Sequence, residues 1–302
     1  MRTGKGIKFQ LGIILMLLLL GGLLLPANGI RNGHDETGNP LVMSFEQGCS
    51  AAVVAPHVVL TAAHCLGDAG FQPYSFTENG ELVEEVALKE FRGETVRLNA
   101  PGVYRSGSQD MVKIRYAIKP MGAVGLPQNQ GPIFDFMALV VDAPLITDSI
   151  PLASAEQIKA LKSSRSTLFA IGYGLKSPAQ GLSEYSYPSS SPVRMIANGD
   201  VNINGWPEFG RYGADADFNN VLVNFPTNSG AGNGDSGSPL YALINDRIHY
   251  VGAMSNAFCI TATTPDDDAL REDKTCESWR GAGYFTAAGY PNIVKLAIAL
   301  AG

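Results

Sequence analysis

Short apolar runs, each closed off by glycine, proline or asparagine, constrain this chain more than any other feature. Val53–Leu60, Ala138–Val141, Leu168–Ile171, Val221–Val223 and Tyr250–Met254 are too short for ordinary amphipathic helices and have the length of strands. The 34 glycines and 18 prolines among 302 residues supply turns often enough to punctuate such strands. With 45% hydrophobic and 17% charged residues, the chain is neither disordered nor a long-helix protein, and an all-β fold is expected. Pro291–Ala301 is the exception, because Ile293, Leu296, Ala297 and Leu300 recur at helical spacing and predict a C-terminal helix.

The run Gly234-Asp235-Ser236-Gly237-Ser238-Pro239 carries chemistry as well as a turn. A serine hydroxyl becomes a useful nucleophile when a base removes its proton and donors stabilise the oxyanion that forms. Glycines at 234 and 237 leave the backbone unhindered, so the N–H groups of Gly234 and Ser236 are free to converge on one oxygen. A base stands upstream. The apolar run from Ala51 to Leu60 reads as one buried strand and delivers His64 at its end, beside Cys65. A Cys49–Cys65 bridge would close that segment, contribute about 3 kcal/mol and fix where His64 points. A carboxylate should orient the imidazole, and the segment from Asp135 to Pro144 offers Asp135 at the head of an apolar run and Asp142 at its tail.

The amino terminus reads as a targeting segment. Arg2, Lys5 and Lys8 precede an apolar stretch from Leu11 to Leu25 that Pro26 stops, which is short for a membrane span and fits a secretory signal peptide. Ala27 and Gly29 are small at the two positions signal peptidase reads, so cleavage would expose Ile30-Arg31-Asn32-Gly33. The expected product is secreted, to the periplasm or the medium, and keeps no stable membrane association. Loss of three basic residues and no acidic one takes the net charge from −6 to −9, which argues against nucleic acid as a partner. Four cysteines, at 49, 65, 259 and 276, suit two disulfides in an oxidising compartment. The remaining histidines, 34, 57 and 249, stand apart, so neither a metal nor another cofactor is expected.

Ala62-Ala63-His64-Cys65, then an aspartate opening an apolar strand that ends Asp142-Ala143-Pro144, then Gly234–Pro239, together resemble the trypsin/chymotrypsin-like serine proteases. The likeness covers essentially Ile30 to the end. It selects Asp135 over Asp142, and the order His64, Asp135, Ser236 excludes the α/β-hydrolases, in which the serine comes first. It implies a secreted serine endopeptidase built from two six-stranded antiparallel β-barrels, with the active site in the cleft between them and a short C-terminal helix. The corresponding boundaries are a signal peptide over 1–29, a first barrel over 30–150, and a second barrel with the helix over 151–302. The resemblance also implies that a freed Ile30 amine pairs with Asp235 and orders the oxyanion loop formed by Gly234 and Ser236. Because no residue remains between the signal cleavage and Ile30, the enzyme is expected to mature without a zymogen stage. The implied partners are protein or peptide substrates and protein inhibitors.

Carried over residue by residue, the resemblance puts Gly230 and Ala231 at the floor of the primary pocket. It puts Ala257 and Gly283 at the walls, and Ser255 and Asn256 on the strand that pairs with substrate. Ile171–Gly174 resembles the family's Gly-aromatic-Gly segment, and Ser255 a serine that supports the triad aspartate. None of these residues offers a buried negative charge, so small or medium apolar residues are expected before the scissile bond. A family cysteine four residues before the nucleophile is Gly232 here, which leaves Cys259 to pair with Cys276 across an inserted acidic loop. The acidic stretch Glu78 to Glu94 is expected to be a solvated loop, not a calcium site, since it lacks regular oxygen-ligand spacing. Ser177–Pro192 is expected to be an exposed loop open to self-cleavage. A binding module on the same fold, without activity, is the competing class. Such homologues usually lose a triad residue, and this chain keeps all three.

Overall fold

The computed structural model describes residues 27–28, 30–31, 33–45, 48–92, 97–102, 111–122, 134–164, 166–174, 186–195, 219–226, 229–258 and 280–302. The leader over 1–26, Gly29, Cys259, Cys276 and the acidic insertion between those cysteines lie outside the described residues.

The apolar run expected as one strand is two. β4 (Ser50–Ala55) and β5 (Val58–Thr61) form an antiparallel pair turned at Pro56-His57. Proline has no N–H to give a ladder, so the chain reverses there. The turn is fastened to a third strand, β10 (Met137–Val141), through Val141 N–H to His57 C=O at 3.0 Å. Both β4 and β10 are buried on both faces, which explains why their sequences are continuous apolar runs, not alternating ones. Successive side chains point to opposite faces. Ala51, Val53, Met137, Leu139 and Val141 fill the interior of the first barrel, while Ala52, Val54, Ala138 and Val140 face outward into a second apolar layer.

The first sheet begins at β3 (Val42–Ser44) and runs through β4, β5 and β10 to β9 (Met111–Pro120). β8 (Arg97–Asn99) pairs with β9, and a bridge between Phe45 and Leu98 brings the sheet back toward β3. β9 also carries a hairpin, β6 (Gln72–Glu78) and β7 (Glu81–Glu90). This corrects the expectation of an acidic solvated loop. Asn79 (φ 54°) and Gly80 (φ 84°) both adopt positive φ, as a type I′ hairpin turn requires. Asn-Gly between alternating residues was the signal for it. The glutamates lie mainly on the exposed half, while Val86 and Ala87 reach the core.

The second sheet closes into a six-stranded barrel. The order is β11 (Thr167–Gly172), β15 (Pro239–Ile244), β16 (Arg247–Phe258), β17 (Gly281–Thr286), β14 (Asn220–Asn224) and β13 (Ser189–Met195), with β13 pairing back to β11. β13 and β12 (Ser186–Tyr187) replace the later part of the expected exposed Ser/Pro loop. Ser189, Ser190 and Ser191 are buried, and their hydroxyls are paired. Ser189 Oγ donates to Ile30 C=O at 3.0 Å, Ser190 Oγ to Glu36 at 2.5 Å, and Ser229 Oγ to Ser191 Oγ at 3.0 Å. Two short N-terminal strands join this half of the molecule: β1 (Ala27–Asn28) runs parallel to β12, and β2 (His34–Asp35) pairs with β13.

Helix α1 (Ala155–Ser164) was not legible as an apolar stripe, since only Ile158 and Leu161 are buried. Its capping box was. Ser154 N–H donates to Gln157 Oε1 at 2.8 Å, and Gln157 N–H to Ser154 Oγ at 3.3 Å. The predicted C-terminal helix forms as α2 (Pro291–Ala301), with Pro291 in its first turn. Ile293, Val294, Leu296 and Ala297 press into the layer shared with Leu60, Ile118, Tyr241 and Tyr250, so the helix helps bind one barrel to the other.

Candidate active site

Asp135 sits just before β10, inside the wall of β5 and β9, and is almost wholly buried. Water cannot solvate its carboxylate there, so protein donors must. Three do. His64 gives its backbone N–H to Oδ1 at 2.9 Å and its Nδ1 to Oδ2 at 2.7 Å, and Ser255 Oγ donates to Oδ2 at 2.6 Å. Because a carboxylate only accepts, Nδ1 carries the proton and Nε2 is left with a free lone pair. The imidazole is 30% exposed while the carboxylate is fully buried. Burial of the ring works against its charge, but the hydrogen bond to Asp135 and the charge of Asp135 together outweigh it. His64 is therefore held above its ordinary value of 6.5. Asp142, the other sequence candidate, is exposed and accepts Lys113 N–H at 3.1 Å, away from the histidine's partners.

His64 owes its position to a short 3₁₀ turn, Ala63–Cys65, at the end of β5. The expected Cys49–Cys65 disulfide is present, with Cα atoms 6.0 Å apart, and ties this turn to the start of β4. The loop beyond is also anchored. Lys119 from β9 is buried, pairs with Asp68 and lies 4.4 Å over the Phe71 ring. Cys49, His64 and Cys65 come within ligand range of one another, but both sulfurs are spent in the disulfide and leave no donor set for a metal.

The Ser236 loop lies against the same strand ends. Gly237 (φ 77°) is so close to β5 that a Cβ there would stand 2.1 Å from Thr61 Oγ1 and 2.3 Å from Ser50 C=O. Its N–H donates to Met254 C=O at 2.6 Å, and Ser236 C=O accepts Ser50 N–H at 2.7 Å. Gly234 adopts φ 97°, a conformation open to glycine and costly for other residues. Asp235, between them, is fully buried. Oδ1 takes Gly174 N–H at 2.7 Å and Oδ2 takes Gly232 N–H at 2.8 Å. Gly172 and Gly174 form a cradle for it, since a Cβ on either would lie about 2 Å from a carboxylate oxygen. The expected Gly-aromatic-Gly segment is thus a fitted socket for a charge. Burial and the nearby Asp235 charge also push the Tyr284 hydroxyl far above its ordinary value.

Ile30 is buried in the core of the second barrel with Met254 and Tyr284. Its carbonyl accepts Gly33 N–H at 2.9 Å, and Arg31 N–H donates to Gly230 C=O at 3.0 Å, so the start of this segment is fastened to the loop leading to Ser236. Gly230 and Ala231 lie in that loop. Ser255, Asn256 and Ala257 lie on β16, opposite β17. The register places Ala282 across from Ala257 and Gly283 across from Asn256. Two residues escaped sequence reasoning: Ser50 and Thr61, polar members of otherwise apolar strands whose hydroxyls bind carbonyls.

A family model described as Trypsin matches residues 30–265. Lectizyme of Glossina austeni is 27% identical over 252 residues, which cover 80% of this chain and 81% of that protein.

Proposed function

The chain belongs to the trypsin family of serine proteases and is a chymotrypsin-like serine endopeptidase; from that premise we propose that Ser236, His64 and Asp135 carry its reaction. The observation behind this reading is the buried Asp135 carboxylate, which takes both the backbone N–H and Nδ1 of His64 and leaves Nε2 as a base. His64 Nε2 takes the Ser236 proton as Oγ attacks the scissile carbonyl carbon, and Asp135 stabilises the imidazolium that forms. The N–H groups of Gly234 and Ser236 receive the oxyanion. Collapse expels the amine, which leaves with the proton from His64. Water, deprotonated by the same nitrogen, then releases the acyl group from Ser236.

The proposed primary pocket runs from Gly230 and Ala231 past Met254 and Tyr284 to a mouth between Ala257 and Ala282. Directly paired strand residues hold their Cβ atoms about 5 Å apart, so the two methyls stand side by side on the pocket wall and narrow it against a large ring. No carboxylate is among these residues to receive lysine or arginine. The preferred residue before the scissile bond is therefore small and apolar. We further propose that the protein is secreted after cleavage before Ile30, and that the freed amine joins Gly174 and Gly232 around Asp235. Two barrels over 30–150 and 151–302 form the mature unit, although β2 and Ile30 attach to the second barrel.

A peptide-library digest by the secreted protein tests the specificity. Cleavage after alanine and valine is expected, and the double substitution Ala257→Gly with Ala282→Gly should shift preference toward phenylalanine and tyrosine. A wild-type profile dominated by arginine and lysine, or by large aromatics, would refute the pocket.

A further inference from the structure

Ser50 opens strand β4 immediately after Cys49 and is completely buried in the first barrel, yet its polar groups serve the second. Its N–H donates to Ser236 C=O at 2.7 Å. Its hydroxyl donates to Gly234 C=O at 2.9 Å and accepts Tyr173 N–H at 3.0 Å. Its own carbonyl takes the Thr61 hydroxyl at 2.8 Å. Any residue at position 50 would supply the N–H. The bridge from Gly234 to Tyr173 needs a side-chain group that donates and accepts at once, and a hydroxyl does both.

The bridge meets the loop at Gly234. Gly234 stands at φ 97°, has no side chain to hold it, and supplies one of the two N–H groups the reaction uses. Its carbonyl begins the peptide that leads to Asp235. Tyr173, the other end of the bridge, sits between Gly172 and Gly174, the two glycines that cradle the Asp235 carboxylate. One hydroxyl therefore couples the carbonyl side of Gly234 to the socket that fixes the next residue.

We propose that the Ser50 hydroxyl is a positioning residue for the oxyanion loop: by holding Gly234 C=O against Tyr173 N–H, it keeps the Gly234 N–H aimed at the oxygen that becomes negative during acyl transfer. The proposal rests on the reading of Ser236 as nucleophile. Ser50 touches neither substrate nor the reacting atoms, so its effect falls on turnover and not on substrate binding.

Two substitutions separate this role from plain packing. Ser50→Ala removes the bridge and leaves a methyl where a water would need to sit, stranding a buried acceptor and a buried donor. Ser50→Gly vacates the same volume between that acceptor and that donor, and a water there restores part of the link. Both residues are smaller than serine and fit the site. In the secreted protein, Ser50→Ala should lower kcat on a peptide amide about ten-fold with KM within about two-fold, a fraction of the loss for deleting an oxyanion donor outright. Affinity for a peptide aldehyde, whose adduct places an oxygen in the oxyanion site, should fall by the same factor. Affinity for the matching peptide alcohol should hold. Ser50→Gly should retain more kcat than Ser50→Ala. Alanine with wild-type kcat and aldehyde affinity would overturn the proposal, as would glycine falling below alanine, the order that packing alone dictates. A wild-type protein that forms no phosphonate adduct at Ser236 would instead defeat the nucleophile assignment, whichever way the Ser50 variants behave.

Discussion

Gly174→Ala is the sharpest perturbation the active-site region offers. The Gly174 backbone does not occupy the positive-φ region, so alanine brings no conformational strain of its own. What it brings is a methyl 2.0 Å from Asp235 Oδ2 and 2.3 Å from Cγ, where an ordinary contact begins near 3.4 Å. The carboxylate is held closely from its other sides. A Cβ on Gly172 would stand 2.1 Å from Oδ1, and Gly232 N–H holds Oδ2 at 2.8 Å from the other side. Asp235 must therefore leave the cradle and lose the 2.7 Å bond from Gly174 N–H. A hydrogen bond to a charged group is worth about 1.5–3 kcal/mol, overpacking costs about 1–3, and breaking up a buried charged set costs about 3–5. These overlap, and a net loss of about 4 kcal/mol is expected. At about 2–4 °C per kcal/mol for a protein of this size, the melting midpoint should drop by about 12 °C. Asp235 lies between Gly234 and Ser236, so its displacement also moves both proposed oxyanion donors, and kcat should fall about 10²–10³-fold. Calorimetry and turnover of a peptide amide, measured on the same preparation well below the midpoint, check both numbers. A variant with wild-type melting and wild-type kcat would refute the cradle as the determinant of the loop.

The hydrogen bond and charge of Asp135 raise His64 above 6.5 against the burial of its ring, so the acid limb of kcat/KM should have its midpoint above that value. Asp135→Asn should move the midpoint down and cut kcat by about 10⁴, and a pH–rate profile of both proteins measures it. The linkage runs the other way for stability. The charged pair contributes fully below about pH 6.5 and is lost as pH rises through the raised value, so the pair stabilises the fold most where the enzyme is least active. Replacing Cys49 and Cys65 by serine opens a loop of sequence separation 16, and denaturant titration should show a loss of about 3 kcal/mol. N-terminal sequencing of protein recovered outside the producing cell's cytoplasm should begin at Ile30, and a start well upstream would contradict the proposed maturation without a zymogen stage.

Much of this was legible because chemistry and pattern coincide. His64, Asp135 and Ser236 each stand at the boundary of an apolar run, and strand ends are where a barrel presents side chains. The Ala51–Leu60 run was misread as one strand because the two cores it serves, one on each face, erase the alternation that would have shown its turn; Pro56 was the remaining clue. The acidic hairpin was misread because composition outweighed the Asn79-Gly80 turn signal. Ser189 to Ser191 look like loop residues in sequence, and their burial depends on partners far along the chain, Ile30, Glu36 and Ser229, which local pattern does not reveal. Strand register was equally out of reach. Whether Ala282 or Gly283 faces Ala257 depends on a bulge between Met254 and Asn256, and one residue of slip reverses the answer. Ser50 was invisible for a related reason: its hydroxyl joins residues 123 and 184 positions away.

One serine, Ser236, is proposed to be activated by His64 and Asp135. Incubating the purified protein with a fluorophosphonate and mapping the adduct by mass spectrometry tests this. A single stoichiometric adduct on Ser236 is expected, with its loss in Ser236→Ala and a fall of about 10⁶ in peptide turnover for that variant. An adduct on another serine, or peptide hydrolysis that survives Ser236→Ala unchanged, would contradict it.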